Sequence, residues 1–558
     1  MKAGRLARVL RASSVAGALL ALAAGCSHGP PERARCDVVL ISLDSTRADV
    51  LTFLDARTSP NLARLAARGT VFTQAVSGTS WTLPAHAQMF TGQPPAVHGV
   101  QADDMRIDPR TPTVATKLRD AGYRCVGFWT AWYLSGEYGF ARGFHEYRSC
   151  MSEASARGDA LEHALAVGGD ASERRASFTR ELASHTTVNS GFLVDAAIAA
   201  VRATPPDAPL FLFGHLFDPH YDYIPPEPFA SRFDPDYEGT ISGHGYWENR
   251  GIWDEEKEPP RRISSRDLEH IEALYRGEVA GPDDHLGRLL DALDASGRLE
   301  NTLFVVTSDH GEEFFEHEGR GHRQTLFEEV LRVPLLVVAP NSAATNAGEC
   351  DALVSLSDLM PTILDYAGAP VPASVLGRSL RDLVEGGAAR RGDPDADPAQ
   401  VATLWVPHDE PDGTTSHWLV ECLRTPGSKL VRTVRLGERA EDLAVGNFAW
   451  YDLIADPLER SPVQRARDPR VVRDWARLER EKSVLREHVA AQPSSPLAER
   501  MTHVAELFHQ DLAALGYGGT GEVPGDEQPI LGAWSVQPLP ALALPAPAAS
   551  GAASSERR

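Results

Sequence analysis

Val38-Val39-Leu40-Ile41-Ser42-Leu43-Asp44 is an apolar run of strand length that ends on a carboxylate. Unbroken apolar runs of this length mark strands buried on both faces, as in a parallel sheet covered by helices. The pattern returns at Leu303-Phe304-Val305-Val306-Thr307-Ser308, which closes on Asp309-His310-Gly311-Glu312-Glu313. Further strand-length runs lie at 123–128, 209–217 and 333–339, and helical stretches at 60–68, 84–91, 111–121, 191–203, 265–296 and 359–367. This alternation predicts an α/β fold with a large central, mostly parallel sheet between helices. Open α/β sheets bind ligands at the carboxyl ends of their strands, and Asp44, Asp218 and Asp309 all follow such ends.

A chain of 558 residues, 42% of them apolar, is long enough for one large domain and a smaller one. Residues 1–25 carry Lys2, Arg5, Arg8 and Arg11, then the apolar stretch from Val15 to Ala24 and a small-residue approach to Cys26, which reads as an export signal of lipoprotein type. That predicts a protein of the bacterial cell envelope, anchored through lipidated Cys26, its one expected membrane contact. An ordinary secretory signal is the alternative. The composition predicts a tether at 26–36, the large α/β domain at 37–384, a linker at 385–400, a small C-terminal α+β subdomain at 401–517 and a Pro-, Gly- and Ala-rich disordered tail at 518–558. Removing the four cations of the signal carries the net charge from −22 to −26. So acidic a chain disfavours nucleic acid or an anionic membrane as partner, and an anionic substrate needs a local cationic or metal site. The remaining cysteines, Cys36, Cys125, Cys150, Cys350 and Cys422, are odd in number and contain no Cys-x-x-Cys pair, so disulfide pairing is undefined.

Asp44 alone is an ordinary turn former, but adjacent Asp309 and His310 can enter one coordination sphere from a single turn. Gly311 supplies a sharp backbone turn there. Between these acidic strand ends in chemistry stands Thr82, in Ser80-Trp81-Thr82-Leu83-Pro84-Ala85-His86. Pro84 marks the first turn of a helix, so the Thr82 hydroxyl faces a positive helix end and a metal together, the setting of an activated nucleophile. The local alternative is a capping threonine. His220, in Asp218-Pro219-His220, and glycine-flanked His322 are candidates to protonate a leaving oxygen; with Asp218 they are also the candidate ligands of a second metal. His86 and Arg323 are candidate substrate contacts, whereas His98, His215 and His317 read as packed or solvated, and Arg47 with Asp49 as a structural ion pair.

Taken in order along residues 37–460, these segments resemble the sulfatase family of the alkaline phosphatase superfamily. The resemblance rests on Val38 to Asp49, Ser59-Pro60-Asn61-Leu62, Thr82 to His98, Asp218-Pro219-His220, Ser308-Asp309-His310-Gly311-Glu312, Arg332-Val333-Pro334 and Tyr451-Asp452-Leu453. It implies an alkaline-phosphatase-like fold, a metal held at Asp44, Thr82, Asp309 and His310, and attack by residue 82. Zinc or manganese suits Asp-Asp-His with a hydroxyl, and calcium suits members with more oxygen ligands. True sulfatases oxidise Cys or Ser in a Cys/Ser-x-Pro-x-Arg pattern to formylglycine; Thr82 is a secondary alcohol that cannot give an aldehyde, and His86 replaces the arginine. Ser45 stands where many members have a second metal-binding Asp, and a sulfate-gripping Gly-Lys-Trp-His segment is absent near Phe128-Trp129-Thr130-Ala131-Trp132. The expectation is a divalent-metal hydrolase of phosphate mono- or diesters acting through Thr82 on an anionic ester, a glycan or lipid head group among the candidates. Sulfate-ester hydrolysis without formylglycine, phospho-group transfer, and a non-catalytic glycan-binding lipoprotein are the alternatives.

Overall fold

A computed structural model describes residues 35–151, 189–246, 249, 251–254, 261–342, 347–386, 398–409, 415–436 and 444–491. The chain divides into Met1–Arg35 and a unit from Cys36 onward, and the second holds every strand and helix of the described residues. The export signal, most of the insertion at 151–187, most of the linker and the C-terminal tail lie outside the described residues. Among the described residues no helix is long and apolar enough to cross a membrane.

The core is an eight-stranded sheet. In chain order its strands are β1 (Asp37–Leu43), β2 (Thr70–Val76), β3 (Arg124–Trp129), β4 (Glu146–Ser149), β5 (Leu210–Leu216), β6 (Thr302–Thr307), β7 (Leu335–Val338) and β8 (Gly348–Ser355), and across the sheet they run β8-β2-β7-β6-β1-β5-β3-β4. All neighbours are parallel except β7, which runs antiparallel to both β6 and β2. The five strands expected from apolar runs are present with ends shifted by a residue or two. β2, β4 and β8 were not anticipated. Their sequences mix Thr, Gln, Arg, Glu and Asp into the runs, and these strands lie at or next to the sheet edges, where part of each is less than fully buried.

Alternation along β1 sends Val38 and Leu40 into one apolar layer and Val39, Ile41 and Leu43 into the other, all 0–2% exposed. Helices α1 (Pro60–Ala66), α4 (Ser190–Ala203) and α5 (Ser265–Ala295) cover the second face; α2 (Thr82–Thr91), α3 (Val114–Asp120) and α6 (Leu359–Tyr366) cover the first. Each fully buried Val, Leu, Ile or Phe contributes roughly 1.5–3 kcal/mol of hydrophobic stabilisation, so the central strands are the most strongly held part of the molecule.

The C-terminal region forms a four-stranded antiparallel sheet, β9 (Gln400–Asp409), β10 (Thr415–Arg424), β11 (Ser428–Leu436) and β12 (Ala444–Asp452), followed by α7 (Pro469–Ala491). Strands followed by a helix match the α+β character read from the sequence for this region. A buried ionic knot joins this sheet to the main domain. Lys429 Nζ, 0% exposed, lies 2.9 Å from Glu459 and 3.2 Å from Glu328, which also meets Arg424 at 3.1 Å. The Glu328 amide donates to Glu459 at 2.6 Å, so a backbone group of the main domain takes part as well. Burial would lower the Lys429 ammonium, but Glu459 and Glu328 outweigh it and hold the pKa above the ordinary lysine value. Removing one partner from such a cluster strands the other charges in a dry site. Lys429→Met is therefore expected to cost about 3–5 kcal/mol in chemical denaturation; a loss below 1 kcal/mol would show that water reaches the cluster.

Candidate active site

The sheet's register builds the site. β1 lies between β5 and β6, with Ser42 opposite His215 on one side and Thr307 on the other. Adjacent strands are about 4.8 Å apart, so residues just past the ends of β1 and β6 are brought together. Asp44 and Asp309 are those residues, both 0% exposed. The turn after Asp44 is held in an uncommon conformation: Ser45 has φ +51°, in the left-handed region that costs a non-glycine residue about 1–2 kcal/mol. Its amide donates to Asp309 Oδ1 at 3.1 Å and its hydroxyl to Asp44 Oδ1 at 2.8 Å. Tyr275, from α5, clamps the turn by donating to the Ser45 carbonyl and accepting from the Arg47 amide, each at 2.8 Å.

Thr82 arrives from farther away. The loop after β2 passes over β7 and β6 and delivers Thr82 as the first residue of α2, with Trp81 extended at the N-cap. The Thr403 amide of β9 donates to the Gly78 carbonyl at 2.9 Å, and the Arg323 amide to the Ser80 carbonyl at 2.9 Å, so both domain and subdomain steady this loop. Thr82 Oγ1 lies 3.4 Å from Asp44 Oδ2 and 3.4 Å from His310 Nε2.

Asp44, Asp309 and His310 each offer one ligand atom within 4.8 Å of the others. His310 Nδ1 is 2.9 Å from the Gly311 carbonyl, which fixes that nitrogen as the donor and leaves Nε2 as the lone-pair atom beside Asp309 Oδ2, 3.4 Å away. Asp309 Oδ2 is buried and makes no hydrogen bond among the described residues. An ionised carboxylate oxygen without a partner costs several kcal/mol in a dry site, and a cation removes that cost. The donor set therefore fits a divalent metal. Gly311 serves this turn by proximity: a Cβ there would sit 2.0 Å from the Glu329 carbonyl oxygen.

His86 and His215 lie beneath these carboxylates. His86 Nδ1 is 2.9 Å from the Thr82 carbonyl and Nε2 is 3.1 Å from Ser42 Oγ, with the ring fully buried. The substrate contact expected of His86 does not match this placement, because both nitrogens are used inside the protein to seat the start of α2. His215 Nε2 lies 3.0 Å from Asp44 Oδ2, so this strand histidine, expected to be merely packed, orients a candidate ligand. Burial pushes His86 down to about 3 and His215 down to about 4, against a smaller opposing pull from Asp309. Both rings are thus neutral near pH 7 and lend the two carboxylates no compensating charge.

His322 and His220 flank the site on the other side. Ring centroids of His310 and His322 are 4.4 Å apart, and those of His322 and His220 are 4.9 Å apart. Glu312 Oε1 holds His322 Nδ1 at 3.0 Å, and the Tyr221 carbonyl holds His220 Nδ1 at 2.8 Å. Burial raises the Glu312 carboxyl well above its ordinary range, opposed by a hydrogen bond from Tyr223. Asp218 does not join them. Its two oxygens accept the Asn189 and Ser190 amides at 2.7 and 3.1 Å, so it caps α4, and among the described residues no second metal cluster forms from Asp218, His220 and His322. Arg323 is likewise committed: it pairs with Asp103 at 2.6 and 2.9 Å and stacks 3.9 Å over Trp81. Arg47 meets Asp49 at 2.8 Å as a local ion pair. The five cysteines from Cys36 onward are buried thiols.

The family model for sulfatases matches residues 37–369. The chain belongs to the sulfatase family. Sulfatase relatives include an arylsulfatase of Clostridium perfringens, 28% identical over 389 residues that cover 62% of this chain and 78% of that protein. An ulvan-active sulfatase of Formosa agariphila is 23% identical over 434 residues, 77% of each chain. In structure the chain is similar to the phosphonate monoester hydrolase of Agrobacterium radiobacter, with TM-score 0.59, 22% identity, and 82% of this chain and 96% of that one covered. As a sulfatase-family member it is a hydrolase of sulfuric or phosphoric esters.

His215 predicts a measurable effect on metal affinity. Partners that orient a ligand typically contribute 10–100-fold, so His215→Leu is expected to weaken Mn²⁺ binding by about that factor in titration calorimetry, and Asp309→Asn by more. Unchanged affinity in His215→Leu would remove the Asp44 contact from the metal's support.

Proposed function

We propose that this sulfatase-family hydrolase cleaves a phosphate mono- or diester through Thr82 as nucleophile. The observation that carries the reading is the 3.4 Å approach of Thr82 Oγ1 to both Asp44 Oδ2 and His310 Nε2. A divalent ion, zinc or manganese by the Asp-Asp-His donor set, would be held by Asp44, Asp309 and His310 and would supply Lewis-acid charge for a hydroxyl and an ester oxygen.

The rest is chemistry of the chain's own residues. Thr82 stands at the first position of α2, where the positive end of the helix favours an alkoxide and an anionic ester alike. His86, neutral and bonded to the Thr82 carbonyl, fixes that position without adding charge. Thr82 Oγ forms a bond to phosphorus as the bond to the leaving oxygen breaks, and the Thr82 hydroxyl proton has Asp44 Oδ2 as its nearest carboxylate acceptor. His322, oriented by Glu312, or His220 beside it donates a proton to the departing oxygen. Water then adds to phosphorus, the phosphorus–Oγ bond breaks, the same imidazole takes the proton of the water, and Asp44 returns its proton to the Thr82 oxygen. An alcohol in place of that water would make the reaction a transfer.

Phosphate is preferred because a threonine cannot supply the aldehyde hydrate of formylglycine, and because His86 takes the place of the arginine in the sulfatase pattern. The phosphonate monoester hydrolase among the structural neighbours supports the same direction. A sulfate-ester reading draws on the sulfatases among the sequence relatives. Aryl phosphate, aryl phosphate diester and aryl sulfate offered to the Mn²⁺-loaded enzyme separate the two. Turnover of a phosphate ester, lost by about 10³-fold or more in Thr82→Ala, is expected, with a phosphoryl adduct on Thr82 detectable by mass spectrometry after rapid quench. Turnover of the sulfate ester alone, or full activity in Thr82→Ala, would refute the reading.

A further inference from the structure

Trp81, Asp103, Tyr133 and Arg323 are far apart in the chain, yet their side chains close into one box next to Thr82. The Arg323 guanidinium lies 3.9 Å over the Trp81 ring. Its Nη1 and Nη2 donate to Asp103 Oδ1 and Oδ2 at 2.9 and 2.6 Å, a two-point ion pair. Tyr133 Oη donates to Asp103 Oδ1 at 2.6 Å and accepts from Arg323 Nη1 at 3.3 Å. The Tyr133 ring also meets Trp81 edge-to-face, with centroids 5.5 Å apart and planes at 83°. Trp81, Tyr133 and Arg323 are all buried.

Two members of the box adjoin the reacting groups. Trp81 is the N-cap of α2 and immediately precedes Thr82, and Arg323 immediately follows His322. The Arg323 amide donates to the Ser80 carbonyl at 2.9 Å, so the two segments are joined through the backbone beside the stack. Arg323 reaches this place with φ +66°, a left-handed conformation that side chains other than glycine rarely adopt. Residues held in that region gather where position matters to function. A planar guanidinium gripped at two points has one orientation, and a buried one cannot swing away without stranding its charge. The stack is therefore fixed, and Trp81 with it. Consecutive Cα atoms are about 3.8 Å apart across a rigid peptide. A displaced Trp81 thus carries with it Thr82 Oγ1, which lies 3.4 Å from both Asp44 Oδ2 and His310 Nε2.

We propose that Arg323 is a positioning residue for the nucleophile: ion-paired to Asp103, it sets the place from which Thr82 attacks by holding Trp81. The proposal rests on the reading of Thr82 as nucleophile and adds to it the residues that aim the hydroxyl. The role is geometric rather than electrostatic, because Asp103 neutralises the guanidinium at 2.6 and 2.9 Å. Lysine, which keeps the charge but lacks the flat fork, is therefore a poor substitute.

Arg323→Met, Arg323→Lys and Asp103→Asn in the Mn²⁺-loaded full chain test it, with turnover of phenyl and 4-nitrophenyl phosphate esters and crystal structures of wild type and Arg323→Met. A reacting atom misplaced by about 1 Å can cost about 10²-fold in rate. The expected result is a kcat about 10–100-fold lower in Arg323→Met and nearly as low in Arg323→Lys, with KM and Mn²⁺ affinity within about threefold of wild type. The loss should be the same factor for both leaving groups. Asp103→Asn, which keeps the size of the side chain and one acceptor oxygen, should lose kcat in the same direction and guards against a folding defect. Wild-type kcat in Arg323→Met, a raised KM at constant kcat, or recovery in Arg323→Lys would overturn the proposal. So would a loss that grows with the basicity of the leaving group, which would place the action on His322. The crystal structures give a readout independent of turnover: Thr82 Oγ1 is expected to move away from Asp44 Oδ2 in Arg323→Met, and an unmoved Thr82 would contradict the proposal. Absence of turnover in the wild type would count instead against the nucleophile reading.

Discussion

Two carboxylates buried at the ends of neighbouring parallel strands are the constraint around which this molecule is organised. Asp44 and Asp309 are both 0% exposed, and the histidines beneath them, His86 and His215, are neutral. Buried charge of one sign is costly unless a cation or a dense set of donors answers it. The chain answers in part with the Ser45 amide and hydroxyl, and it accepts a left-handed conformation at Ser45 to aim them. Asp309 Oδ2 accepts no hydrogen bond among the described residues, and the proposed metal would meet it there. The fold, the proposed metal site and the position of Thr82 thus follow from one arrangement: a sheet register that aligns Ser42 with Thr307 and His215, and a loop that carries Thr82 across two strands to meet it.

The C-terminal sheet takes part in that arrangement. The Thr403 amide supports the loop leading to Thr82, and the Lys429, Glu328 and Glu459 cluster locks the segment after His322 to β11. His317 adds to the same seam. Burial lowers its pKa, but Glu329 at 2.6 Å more than offsets this, and its other nitrogen meets the Leu458 carbonyl at 3.1 Å. With both nitrogens facing acceptors, Glu329 and the Leu458 carbonyl favour the protonated ring in this seam.

Much of this was legible in the sequence because the physics is local. Unbroken apolar runs located β1, β3, β5, β6 and β7, and carboxylates at two strand ends pointed to a common centre. Thr82 could be placed there because Pro84 fixed the start of a helix. What stayed hidden depends on partners remote in the chain. His215 reads as one polar residue in an apolar strand until register sets it beside Asp44. Tyr275 is one aromatic among many on a 31-residue helix, and nothing local says that its hydroxyl clamps the turn at Ser45. His86, Asp218 and Arg323 are chemically suited to bind substrate or metal; only tertiary structure reveals that α2, α4 and Asp103 have already claimed them.

Anomalous diffraction from crystals soaked in Mn²⁺ tests the central claim most directly. The predicted result is one strong peak at the convergence of Asp44, Asp309, His310 and Thr82, with all four side chains bonded to it. A peak elsewhere, or no peak under conditions that saturate binding in solution, would contradict a centre built on those two strand-end carboxylates.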